Sequence, residues 1–235
     1  MVILGIESSA QSASAAIVKD GKLLSEMFLN VGLTHSVTLM PLIRQSVESS
    51  GLSVDDIDAV AVSNGPGSFT GVRIGVSTAK GIAQPDDKIC VPVSTLEAIA
   101  YPLINSNAIV VSVMDARCQQ VYCAVFDCCN NKMKRITQDD AVSLENLCDM
   151  LKKFDKDIIL IGDGTDVAYD YLSADVPNLY KSSPIFKYQR AASVAMLAEN
   201  RICNNEGVIT ANDLVPSYLR LSQAERELKK KKENE

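Results

Sequence analysis

The sequence predicts an α/β fold made of two duplicated βββαβα halves, and three observations predict it. The order strand-strand-strand-helix-strand-helix can be read twice along the chain. In each half an antiparallel meander is followed by αβα crossovers, which demand a mixed sheet with helices on its faces. The chain has 235 residues, 47% apolar and 22% charged, enough for one large or two small soluble cores.

The elements follow in order. Residues 1–18 are apolar enough to suggest a leader, but no Lys or Arg precedes the apolar stretch and Glu7 interrupts it, so strands over 2–8 and 12–19 are the reading. Asp20-Gly21 is a two-residue hairpin turn into a strand over 22–29. Thr34 is placed to cap a helix over 36–49, with Leu39, Met40, Ile43 and Val47 at helical spacing and Gly51 as its stop. A buried strand over 59–63 meets the loop Asn64-Gly65-Pro66-Gly67, which turns the chain into a helix over 68–85. A strand over 89–93 and a helix over 95–103 close a first domain of residues 1–106.

The second domain, 107–235, repeats the order with strands over 108–115, 120–127 and 132–138. A helix over 143–153, a strand over 157–161 and a helix over 166–173 follow, then a loop over 184–188 and a helix over 191–204. Residues 226–235 form a charged tail with four lysines in a row, Lys229 to Lys232, read as a solvated end or an RNA-touching one.

Composition excludes several functions. A formal charge of −6 argues against a basic footprint over the whole domain, so any RNA is expected to be held with a partner. The uncharged stretch 98–114 contains Pro102 and Asn105 and is too short and polar for a membrane helix of about 20 residues. Seven cysteines (90, 118, 123, 128, 129, 148 and 203) include no C-x-x-C pair, which suits small buried hydrophobes in a reducing cytoplasm. His35 is the one histidine, which removes His-pair metal sites and metal-dependent proteolysis. No G-x-S-x-G elbow is present.

Two segments admit more than one reading. Gly65, Gly67 and Gly71 lead from a strand into a helix as a phosphate loop does, but their spacing misses both the dinucleotide fingerprint and the P-loop, so a tight strand-to-helix connection competes with an anion site. Along that helix Gly71, Gly75, Thr78, Ala79 and Ile82 fall at steps of three and four. Such a small face packs either on its own sheet or on a partner's helix, and interior glycines, at about 1 kcal/mol each against alanine, need one or the other. Glu7, with Ser8, Ser9, Ser12 and Ser14, could approach a nucleotide phosphate or serve only as a turn.

The stretch NGPGSFTGVRIGVSTAKGIA at 64–83 resembles the signature of the bacterial TsaB (YeaZ) family, accessory subunits of tRNA threonylcarbamoyladenosine synthesis. ILGIESSAQSASAAIV near the start, THSVTLMPLI at 34–43, VSTLEAIA at 93–100, MDARCQQVYCAVFD at 114–127, IGDG at 161–164 and VPSYLR at 215–220 extend the resemblance over nearly the whole chain. It implies the actin-like, sugar-kinase and Hsp70-like ATPase fold. It implies no chemistry and no cofactor of the chain's own, but binding to the catalytic sister TsaD, alongside the ATPase TsaE, with tRNA reached through the complex. A homodimer is implied when the sister is absent.

Carried onto this sequence, the family's contact helices place Leu39, Met40, Ile43, Val47, Gly71, Gly75, Thr78, Ala79 and Ile82 at a partner interface. The chain departs from the pattern where Glu7 replaces the usual Asp, where Ala10, Gln11 and Ser12 replace the sisters' acidic pair, and where Gln120 replaces a Glu. The rival reading is an autonomous phosphotransferase or ATPase, with Glu7 and the loop from Gly65 to Gly67 at a nucleotide.

Overall fold

The computed structural model describes residues 1–117 and 119–220; Cys118 and residues 221–235, which include Lys229 and Lys232, lie outside them. Strands β1 (Val2–Glu7), β2 (Ala13–Lys19) and β3 (Lys22–Leu29) form the expected meander. Its hairpin turns on Asp20 and Gly21, at φ +48° and +75°. Helix α1 (His35–Ser50) crosses to β4 (Ala59–Gly65), parallel to β1, and α2 (Phe69–Ala83) crosses to β5 (Ile89–Ser94). The resulting sheet has the order β3-β2-β1-β4-β5.

Helix α3 (Thr95–Ala100) leads into the second sheet, and it is shorter than the reading to 103 because Pro102 tightens the chain into a 3-10 turn. The second sheet comprises β6 (Ala108–Asp115), β7 (Gln120–Cys129), β8 (Lys132–Arg135), β9 (Asp140–Ser143), β10 (Ile158–Ile161) and β11 (Leu179–Lys181). Helices α4 (Leu144–Leu151) and α5 (Thr165–Leu172) cross between its strands. Its order, β11-β10-β6-β7-β8, is the first sheet's read from the other edge. Central β6 is antiparallel to β7 and parallel to β10, as β1 is to β2 and β4. The duplication is therefore one of topology.

Two further elements differ from expectation. The strand over 132–138 breaks at Arg135, because Ile136 N–H and Thr137 N–H both donate to the Val125 carbonyl and the Thr137 hydroxyl takes the Val125 N–H. That knot re-aims the chain into β9, which pairs with β7 further along. The three-residue edge strand β11 has no counterpart among the elements the sequence predicts.

The largest difference concerns the domain boundary at 106/107. Helix α6 (Ala191–Cys203) comes from the second half but packs across β1, β2, β4 and β5 of the first sheet. Val194, Ala195 and Ala198 share a core with Ile3, Val18, Ala59 and Val91, while Leu4, Ile6, Val60 and Val62 face α1 and α2 on the other side. Buried on both faces, β1 is apolar throughout except at Gly5 and Glu7. Gly5 is required there, since a Cβ would enter the Ala191 carbonyl. Among the described residues no helix is long and apolar enough to cross a membrane.

Candidate functional site

The C-terminal ends of β1, β4, β6 and β10 converge on a cleft of about 760 Å³ between the halves, bordered by Ser9, Gln11, Gly67, Asp115, Asp163 and Tyr218 among others. Its first wall is the turn after β1. Glu7 is fully buried, and its carboxylate accepts the Ser9 N–H at 2.6 Å, the Ser9 hydroxyl at 2.5 Å and the Ser63 hydroxyl. Burial pushes the Glu7 carboxyl above its ordinary value, against the opposing pull of the Ser63 and Ser9 hydrogen bonds. Ser8 Oγ–H donates to the Gly71 carbonyl at 2.9 Å, and the Ala10 carbonyl accepts from His35 Nε2 at 2.7 Å. The single histidine thus holds this turn.

The glycine loop is engaged in the same way. Ser68 N–H donates to the Ser9 carbonyl at 2.6 Å, and the space where a Gly67 Cβ would sit is filled by Ser9 backbone. Gly65, at φ +129°, lies against the Ser217 carbonyl, and Ser217 N–H donates to the Asn64 carbonyl at 2.7 Å. This loop reads as a tight connection pinned on both sides by backbone. It does not fit a phosphate cradle, nor does saturated Glu7 fit a metal bound to one, so neither a nucleotide nor phosphoryl transfer is derived from it.

The second wall holds two carboxylates. Asp115 accepts the Arg117 N–H at 2.8 Å, and burial raises Asp163 above the usual aspartate range, with Asp115 adding to the rise. One Asp163 oxygen, Oδ1, is buried with no hydrogen-bond partner.

The expected partner-contact residues divide by exposure. Leu39, Ile43, Val47 and Ala79 belong to this chain's own core, at 1%, 3%, 5% and 0% exposure. Gly71 and Gly75 are buried against Ser8, whose backbone and hydroxyl occupy the space their side chains would need. Of the two readings of the small face, packing on the chain's own sheet is the one seen, and these six residues have no surface to offer a partner in this chain. Thr78 and Ile82 are half-buried, and Met40 is 52% exposed.

Beside Met40 the structure adds residues that helical spacing alone did not single out. Val31, Leu33 and Val37 are 62%, 59% and 67% exposed, and with Met40 they make an exposed apolar stripe in sequence over the approach to α1 and its first turns. Their signal in the sequence was the absence of any charge from Met27 to Ile43. Among the described cysteines none is bonded to another; burial pushes the Cys123 thiol up to about 12 and the Cys128 thiol up to about 11.

Comparison with known proteins places this geometry among relatives. The family model described as TsaD, tRNA N6-adenosine threonylcarbamoyltransferase, matches residues 30–228. The tRNA threonylcarbamoyladenosine biosynthesis protein TsaB of Bacillus subtilis is 28% identical over 227 residues, 96% of each chain. The structure of YeaZ from Pseudomonas aeruginosa superposes with a TM-score of 0.77 at 22% identity, covering 93% of this chain and 99% of that one. A ROK hexokinase from Thermus thermophilus shares the fold more distantly, with a TM-score of 0.51 at 10% identity over 86% of this chain and 100% of its own. The chain therefore has the actin-like, sugar-kinase type of α/β fold.

Proposed function

Because the chain belongs to the TsaD family, and within it to the TsaB (YeaZ) group, we propose that it is the accessory subunit that binds the TsaD-type threonylcarbamoyltransferase and holds it active. It takes part in forming threonylcarbamoyladenosine on tRNA, in the cytoplasm, with a TsaE-type ATPase and tRNA as further members of the assembly. The observation that carries the reading is the exposed stripe Val31, Leu33, Val37 and Met40 on a chain similar to TsaB from end to end. A soluble chain holds four large apolar side chains together in water at a cost of about 1.5–3 kcal/mol each relative to burial, which association recovers. Thr78 and Ile82 on α2 are half-buried, so on this reading both helices named by the sequence take part through their outer faces.

Activation is a linkage effect. If this chain binds the partner's active conformation more tightly than its inactive one, occupancy shifts the partner toward activity by the ratio of the two affinities. The chain needs no reacting group for this, and its only histidine is already committed to the Ala10 carbonyl. The same stripe would pair two copies of this chain when the partner is absent, and the partner would displace that homodimer.

The test is modified-adenosine formation from tRNA, the partner, the ATPase, ATP and a threonylcarbamoyl donor, with and without this chain. Product is expected only with the chain present, and Met40→Arg is expected to weaken partner binding about tenfold or more while leaving the monomer's melting temperature unchanged. Equal product without the chain, or turnover by the chain alone, overturns the reading. Ala79→Arg and Gly75→Arg are unsuitable probes, since both positions are buried in this chain's core.

A further inference from the structure

Seven of the eight arginines lie among the described residues. Four of them meet carboxylates: Arg44 with Glu48, Arg135 with Glu97 and Asp139, Arg190 with Glu26, and Arg201 with Glu97. The other three, Arg73, Arg117 and Arg220, have no carboxylate partner among the described residues; Arg117 and Arg220 line the cleft between the halves, and Arg73 lies beside its lining residues Phe69 and Tyr218. Among the described residues of a chain with net charge −6, these are the arginines without a carboxylate partner, and they gather around one cleft.

An aromatic pair carries the first of them. The Arg73 guanidinium lies 3.8 Å from the Phe69 ring centre and donates Nε–H to the Tyr218 hydroxyl at 2.7 Å. Phe69 and Tyr218 stack at 4.4 Å between centres, and Tyr218 is 41% exposed. Two residues on, Arg220 donates to the Ala116 carbonyl at 2.9 Å, next to exposed Arg117. Arginine interleaved with aromatic rings matches a nucleic-acid strand, whose phosphates meet the cations and whose bases stack on the rings.

The cleft interior selects between a strand and a free nucleotide. Its second wall carries Asp115 and Asp163, whose carboxylates oppose a polyphosphate, and the glycine-loop amide Ser68 N–H is spent on Ser9. Arg73 and Arg117 are exposed and Arg220 is half-buried beside them, where a backbone of single-charged phosphodiesters would run. We infer that the mouth of the cleft, through Arg73, Arg117, Arg220 and Tyr218, is a contact surface for an RNA strand. The choice of RNA rests on the tRNA-modifying role proposed above.

The probe is a fluorescently labelled tRNA anticodon stem-loop, titrated with the full chain alone and with the assembled complex, by anisotropy over a salt series. Arg73→Gln/Arg117→Gln/Arg220→Gln is expected to weaken binding about tenfold or more at low salt and to lower the slope of log affinity against log salt by about 2, for three lost contacts at roughly 0.7 each. Arg44→Gln, at a salt-bridged arginine away from the cleft, is expected to change nothing. Arg117→Gln alone, whose side chain makes no hydrogen bond among the described residues, keeps the test open if the triple variant does not fold. Wild-type affinity in the arginine variants, no RNA binding by either wild-type form, or loss of MgATP rather than RNA binding overturns the inference. If RNA binding is unaffected while the chain still supports modification, the RNA surface alone falls. If the arginines matter for RNA but the chain makes no difference to product, the accessory role falls instead.

Discussion

At the scale of single residues, Glu7 carries the most unusual environment, a carboxylate with no solvent contact and three hydroxyl or amide donors around it. Because its folded pKa lies above the ordinary 4.5, the folded chain holds this proton more tightly than the unfolded chain does. Stability contributed by Glu7 is therefore full below about pH 4.5 and is lost as pH rises through the raised folded value. Glu7→Gln has no proton to lose, so its stability relative to wild type is expected to increase from pH 4 to pH 8. Urea unfolding at several pH values checks this; a gap that stays constant or narrows with pH would show that the serine donors outweigh burial. In the sequence Glu7 could be read toward a nucleotide as well as toward a turn, because residue type cannot tell an acceptor aimed outward from one already saturated by Ser9 and Ser63.

At the scale of elements, α2 shows what periodicity can and cannot convey. Steps of three and four marked Gly71, Gly75 and Ala79 as one face, and the structure buries that face. Periodicity reports that a face is small; it does not say whether the neighbour is a helix of another chain or Ser8 of the same one. A Cβ at Gly75 would stand 2.5 Å from Ser8 Oγ and 3.4 Å from Val62. Gly75→Ala is expected to lose about 1–3 kcal/mol to overpacking, more than the roughly 1 kcal/mol that alanine returns in helix propensity. Ser8→Ala added to Gly75→Ala is expected to recover part of that loss in a double-mutant cycle, and additive losses would place the strain elsewhere. The strands of both meanders were legible for the opposite reason: apolar runs, the first of them ending in the Asp20-Gly21 turn, are local signals. Strand β9 was not, since its separation from β8 depends on a Val125 carbonyl eleven residues before Ile136.

At the scale of the molecule, the halves are joined by a polar node as well as by the polypeptide. Glu97 on α3 accepts from Arg201 of α6 at 2.6 Å and from Arg135 of β8 at 3.2 Å, with its side chain 18% exposed. Arg135 also meets Asp139, which in turn accepts from Ser94 at the end of β5. Glu97→Ala leaves two half-buried guanidiniums short of a partner, an expected cost of about 1–3 kcal/mol. For a chain of this size that is a fall of roughly 2–4 °C in Tm per kcal/mol, read by calorimetry, and an unchanged Tm would show the node to be dispensable. The duplicated topology was legible because both halves repeat the same element order. The placement of α6 was not, because an amphipathic helix names the presence of a sheet to cover and not which of two. That placement also has a consequence during synthesis. The first sheet is complete at Ser94, yet the helix that covers its second face ends at Cys203. At roughly 5–20 residues per second, Ile3, Val18, Ala61 and Val91 leave the ribosome several seconds before their cover does. For that interval the nascent chain presents an open apolar sheet, which makes it a client for whatever binds hydrophobic surface at the ribosome exit.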